Sequence, residues 1–243
     1  MKKIALSSIL AVFAATSANA GFYITPKIGW NQVHMDESRI EKAWNGKIWA
    51  NDKKHETWTG YDDKISPKFA VGYDYATEKY GIFGLEAEYG TTSNEFKPLD
   101  GAMAENGDIP NDSDFRSYKY DESTISLNAK YGYDVYRGVP PFVTVGVGYT
   151  MIYSVNNFRS GTYWWDTTDQ EHNTSWNIGG GVLVPVANNV ALSLEYKYTD
   201  LGNVKYSNWM YHEKGNTNGI ERHFDSSVDL YKHEVLMGVK ISF

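Results

Sequence analysis

Lys68, Glu86, Glu88, Lys130, Glu195 and Lys197 each stand inside a run whose flanking positions are apolar or aromatic. Lys27, Asp74, Lys232, Glu234 and Lys240 hold equivalent places in other runs. Charges at this spacing gather on one surface if the runs are extended, because alternate side chains of a strand face opposite ways. Two chemistries are then open to them. They can pair as a structural ion network, or they can line a narrow ion path. Hydrolytic chemistry would need a nucleophile, a histidine and a carboxylate within reach. His34, His55, His172, His212 and His223 fall in polar segments that are expected to be loops, and His233 falls at the outward upper edge of the last apolar run. No catalytic motif links any of them to a serine or aspartate, so the chain reads as a non-enzyme. Asp108, Asp112 and Asp114 miss the spacing of a calcium loop. Gly146-Val147-Gly148 and Gly179-Gly180-Gly181 are not followed by a helix, so they lack the context of a phosphate loop. The sequence has no cysteine. No metal or cofactor is expected. Trp44, Trp49, Trp58, Trp164, Trp165 and Trp209 lie in the polar segments. Exposed tryptophans there can form a binding surface, pack loops together or insert among lipopolysaccharide.

The elements that must position these residues are strands. Alternation covers 22–30, 65–75, 82–91, 123–135, 141–151, 175–186, 190–199 and 231–243. In 190–199, Val190, Leu192, Leu194, Tyr196 and Tyr198 share one face, and Ser193, Glu195 and Lys197 share the other. In 231–243, Val235, Met237, Val239, Ile241 and Phe243 share a face, and the chain ends on that terminal aromatic. Pro26 falls on the apolar face of 22–30 and leaves one ladder hydrogen bond unmade. Eight strands of about ten residues each are long enough to cross the hydrocarbon layer at a tilt.

The connections alternate. Short turns follow the second, fourth and sixth strands, while 32–64, 93–121, 154–173 and 200–229 are long and polar. That asymmetry fits an all-β, eight-stranded, antiparallel up-and-down transmembrane β-barrel with four long extracellular loops. In a soluble sandwich the apolar face would be the core, and the charges would share no interior. In a barrel the apolar face meets lipid, and Lys68, Glu86, Glu88, Lys130, Glu195 and Lys197 face the lumen. Closure also removes strand edges that lipid would not tolerate. Residues 1–20 read as a signal peptide: Lys2 and Lys3, an apolar stretch too short to span a bilayer, and Ala18-Asn19-Ala20 as a cleavage site. Cleavage after Ala20 leaves 21–243 as the barrel. The formal charge is -7 with those residues and becomes about −9 once the two lysines are removed, which excludes nucleic acid as a partner. The expected location is the outer membrane, among its lipid and lipopolysaccharide.

Four segments carry a family resemblance: SLNAKYGYDVY (126–136), PPFVTVGVGYT (140–150), GGGVLVPVANNVALSLEYKYTDLG (179–202) and YKHEVLMGVKISF (231–243), the third of these spanning two strands. They are similar to the opacity family of outer-membrane proteins, including the His233-Glu234 pair before the terminal alternation. About half of the mature chain takes part, and the pattern is shared with wider eight-stranded relatives. The resemblance implies a surface-exposed adhesin or porin-like barrel, with a host-cell receptor as a possible partner through the loops. It also implies that Val239, Ile241 and Phe243 form the signal read by the barrel-assembly machinery. No receptor-binding residue carries over, because the long segments do not match.

Overall fold

In the computed structural model the described residues are 20–43, 60–77, 79–96, 115–133, 139–160, 163–212 and 222–243. They form β1 (Ala20–Ala43), β2 (Gly60–Thr77), β3 (Gly81–Phe96), β4 (Phe115–Gly132), β5 (Pro141–Ser160), β6 (Tyr163–Ala187), β7 (Val190–His212) and β8 (Arg222–Ser242). Each strand pairs antiparallel with the next, and β8 returns to β1 to close the barrel. At the closing end the Phe243 N–H donates to the Phe22 carbonyl at 2.9 Å and the Ser242 N–H to the Asn189 carbonyl at 2.8 Å. The β1–β8 ladder skips Thr25 and Pro26, so the donor that proline lacks falls where no partner is paired.

The two faces separate as the alternation requires. Leu194 is 48% exposed and its neighbour Ser193 only 8%. Ile28, Phe69, Leu85, Leu127, Val145, Ile178 and Met237 all face out from the wall. Such a band is stable only against lipid, because a soluble protein does not leave so large an apolar surface in water. The chain is a transmembrane barrel.

The strands are longer than the alternation suggested. Paired residues run deep into 32–64, 93–121, 154–173 and 200–229, so β5 and β6 form one long hairpin with only 161–162 between them. The cause is an inversion of hydropathy above the lipid belt. Along β1 the inward side changes from Thr25, Lys27 and Asn31 to Val33 and Met35, all buried. The outward side changes from Ile28 and Trp30 to Gln32 and His34. Along β8 the inward Glu234 and Lys232 give way to Leu230 and Val228. With water outside, the extended wall buries apolar groups inside, as a soluble barrel does. Val33, Met35, Tyr120, Ile152, Leu201, Val204, Val228 and Leu230 form this inner apolar cluster.

One stretch of the wall is unzipped. β6 and β7 pair at Tyr163↔His212 and Trp164↔Tyr211, and then not again until Trp176↔Asp200. At the lower end of this gap Leu201 is bulged out of the β7–β8 register. Gly202 there has φ of 80°, a left-handed conformation that glycine adopts at little cost. The Asp200 carboxylate accepts from the Gly202 N–H at 2.8 Å. Across the gap the Asn173 side-chain amide donates to the carbonyls of Leu201 (3.1 Å) and Asn203 (2.9 Å), replacing lost ladder bonds.

Candidate functional site

The lumen is the first candidate. Inward positions of six strands converge there because the wall is closed and each strand keeps its parity. Lys27 of β1 is held by Glu86 (2.9 Å), Glu88 (2.5 Å) and Glu195 (3.2 Å). Lys130 pairs with Glu86 at 2.7 Å, and the Tyr23 hydroxyl donates to the same carboxylate at 3.1 Å. Lys197 reaches Glu88 at 2.8 Å and Glu195 at 3.4 Å. Lys68 joins Glu234 at 2.7 Å and Glu88 at 3.5 Å. Lys232 joins Glu122 at 2.6 Å and Glu234 at 3.6 Å. Lys240 pairs with Asp74 and lies over the Tyr23 ring at 4.1 Å.

Lys68, Glu86, Glu88, Lys130, Glu195 and Lys197 therefore lie in one connected network. Its lysines are Lys27, Lys68, Lys130, Lys197, Lys232 and Lys240, and its acids are Asp74, Glu86, Glu88, Glu122, Glu195 and Glu234. These balance one for one, so the network carries no net charge. Neutrality matters because an unpaired buried charge would cost several kcal/mol, on the order of 3–5 when a partner is removed. Glu122 was not expected in this set. It sits just before the first residue of the expected fourth strand, and its parity with Thr124 and Ser126 was the available signal.

Little space is left between these groups. A cavity of about 30 Å³ lies among Tyr23, Lys27, Asp74, Glu86, Lys130 and Lys240. A second of about 10 Å³ lies among Ser66, Lys68, Glu88, Thr92, Thr124 and Lys232. Each is of the size of one or a few water molecules. Packing is close enough that Gly146 is needed: a Cβ there would run into the Asn128 side chain. Above the charges, the inner apolar cluster fills the same bore.

The expected loop surface is distributed differently. Trp164 and Trp165 stand on β6 and Trp209 on β7, within strand extensions and not in loops. The reason is the hydropathy inversion, which hid those extensions. Trp44, Trp49 and Trp58 lie outside the described residues, as do His55, Asp108, Asp112 and Asp114. The other histidines also change place. His34 is on β1, His172 on β6, His212 at the end of β7 and His223 on β8. His34, His172 and His233 belong to the outer wall at the upper aromatic girdle. His172 stacks on Tyr149 at 5.7 Å, and His34 stacks on Tyr231 at 5.0 Å. Among the described residues no His, Asp and Glu side chains gather in a set that would hold a metal ion. Val239, Ile241 and Phe243 line the outward face of the last strand, with Phe243 76% exposed at its end.

The family model described as "Outer membrane protein beta-barrel domain" matches residues 4–212. No curated protein sequence matches. Among solved structures, the outer membrane protease OmpT from Escherichia coli is similar at 12% identity and a TM-score of 0.50, covering 95% of this chain and 100% of that one. A major outer membrane protein from Thermus thermophilus is similar at 12% identity and a TM-score of 0.50, covering 90% and 99%. Neisserial surface protein A is similar at 14% identity and a TM-score of 0.46, covering 93% and 99%.

Proposed function

The chain belongs to the outer membrane protein β-barrel family, and from that premise we propose that it is a surface-exposed adhesin of the opacity type, acting through its extracellular segments and not through its lumen. The observation that carries this reading is the filled bore. A charge-balanced network occupies the membrane section, and an apolar cluster occupies the section above it. An ion entering would have to displace both. Side chains fill the interior of a barrel this small. What remains for function is the material beyond the lipid belt: the strand extensions with Trp164, Trp165 and Trp209, and the connections that carry Trp44, Trp49 and Trp58. Aromatic residues held on a rigid scaffold are effective anchors in recognition.

In this reading a signal peptide is removed after Ala20. The barrel-assembly machinery recognises the strand ending in Val239, Ile241 and Phe243. The lipid belt and lipopolysaccharide surround the wall, and a host-cell receptor is the binding partner. The reading is also that of a non-enzyme; the likeness to a protease at 12% identity speaks to the fold alone.

The test compares binding and conductance in one protein. Cells displaying the Trp164→Ala/Trp165→Ala variant are expected to bind host cells more weakly, with unchanged amounts of folded barrel in the membrane. Purified wild-type barrel in planar bilayers is expected to give no large steady current. Stable ion-selective currents that change on Glu86→Ala or Lys130→Ala would make a narrow pore the primary function and overturn the adhesin reading.

A further inference from the structure

We propose that the outer flank of β7, β8 and β1, at the extracellular girdle, is a binding site for the neutral sugar headgroup of an outer-leaflet glycolipid. The register lines up three rows of outward side chains there. Tyr196, Val235 and Trp30 form the lowest row; Tyr198, His233 and Gln32 the next; Asp200, Tyr231 and His34 the highest. Phe22 to Gln32 and Phe243 to His233 each climb ten residues from the periplasmic edge. At 3.3 Å per residue and a tilt near 45° the middle row stands about 23 Å up, the height of the lipid belt. These side chains therefore meet headgroups, while Ile28, Leu194 and Met237 below them meet acyl chains.

A girdle needs amphipathic aromatics, but it does not need imidazoles and a carboxamide. Here they are held in a built arrangement. The His34 ring stacks on Tyr231 at 5.0 Å with 4° between planes, and the His233 ring meets His34 edge-on at 5.4 Å. The Tyr196 hydroxyl is 2.6 Å from His233 Nδ1. His34 Nε2 is 3.1 Å from Gln32 Oε1. Trp176 of β6 extends the surface against Tyr198 at 5.5 Å. The result is a continuous set of ring faces with polar edges between them.

Charge decides which headgroup fits. The rim carries Asp63, Asp200 and Asp229, with the cation Lys205 one outward position above the Asn203–Asp229 pair, and the patch itself contains no lysine or arginine. A phosphate at this height would face carboxylates. A sugar ring would instead lay its C–H face on an aromatic ring and share its hydroxyls among imidazole, carboxamide and carboxylate groups, which donate and accept. On the opposite flank His172 stacks on Tyr149 and Gln170 stands one row away, but no second imidazole faces them among the described residues, so the paired-histidine arrangement is one-sided.

The experiment is native mass spectrometry of the folded protein released from mild detergent with three lipids of the same acyl chains. These are a diacylglycerol bearing a neutral disaccharide, a phosphatidylglycerol and a phosphatidylcholine. Wild-type protein is expected to retain the glycolipid at least about fivefold over either phospholipid. The variants Gln32→Leu/His233→Leu and His34→Leu/Tyr231→Leu are expected to lose that preference, while His172→Leu keeps it. All these substitutions place leucine on a lipid-facing wall, and heat-modifiable gel mobility verifies that each barrel is folded. Equal retention of the three lipids overturns the proposal, as does a glycolipid preference untouched in both double variants. A preference for phosphatidylglycerol that disappears with His233 would mark an anion site and also overturn it. Displacement by the free disaccharide as effectively as by the glycolipid would mark a soluble-saccharide site and overturn the membrane-lipid source.

Discussion

Replacing Glu88 by glutamine tests whether the lumen is a closed, charge-balanced plug. Its carboxylate serves three lysines: Lys27 at 2.5 Å, Lys197 at 2.8 Å and Lys68 at 3.5 Å. After the substitution Lys27 keeps Glu86 and Glu195. Lys68 keeps Glu234 at 2.7 Å, but Lys197 is left with Glu195 at 3.4 Å. Six lysines would then face five carboxylates. Removing one partner of a buried pair costs about 3–5 kcal/mol. Because each lysine retains a second carboxylate, the expected loss lies at the low end, about 3 kcal/mol. Adding Lys197→Met restores neutrality and should recover a large part of it, since contacting residues in one network couple by about 0.5–3 kcal/mol. The measurement is equilibrium urea unfolding of the barrel in phosphatidylcholine vesicles, followed by tryptophan fluorescence, for the wild type, both single variants and the double variant. A Glu88→Gln barrel within about 1 kcal/mol of wild type would mean that water screens these charges as it does at a surface. The plug argument, and with it the preference for a surface function over a pore, would then fail.

Two further outcomes follow from the outer wall. Leu194→Arg places a charge on the lipid face near mid-membrane and should destabilise by about 2–4 kcal/mol in the same unfolding assay; if Ser193 and not Leu194 took up a lipid-phase label, the register would be wrong by one residue. Deleting Phe243 removes the exposed terminal aromatic and the N–H that donates to the Phe22 carbonyl. Less folded protein should reach the outer membrane, read as heat-modifiable barrel in membrane fractions, and normal levels would remove the last strand's role in assembly.

The lipid-crossing part of this barrel was legible in the sequence, because lipid outside and charge inside impose the same two-residue period on every strand. Leu194 against Ser193 and Met237 against Gly238 are separated by that rule alone. The inward placement of Leu236, an apolar residue among charges, also follows from parity and not from hydropathy. Beyond the belt the rule stops working because the solvent changes. Val33, Met35, Val228 and Leu230 keep the inward parity of their strands but carry the polarity that marked the outer face below. A reading based on hydropathy ends the strands there and turns Trp164, Trp165 and His34 into loop residues. A reading based on parity would have carried β1 past Gln32 and β8 back past Tyr231.

The same change of solvent explains where candidate sites arise. Within the belt the outward positions are committed to lipid, and the inward ones to the ion network and the small polar residues and Leu236 packed around it. At the boundary the two patterns exchange, and for about one row of residues the outer wall must satisfy apolar and polar surroundings together. Tyrosine, histidine and glutamine meet that demand, which is why His34, His172 and His233 end on the outer wall at this height. The β6–β7 ladder opens just above the same row, where Asn173 takes over from the backbone. In lipid an unpaired strand edge would be costly, whereas above it water can satisfy the freed groups. The features most open to function thus begin at one level of the barrel, set by the solvent boundary and reached by strands that keep their parity up to it, β7 changing parity only at the Leu201 bulge just above.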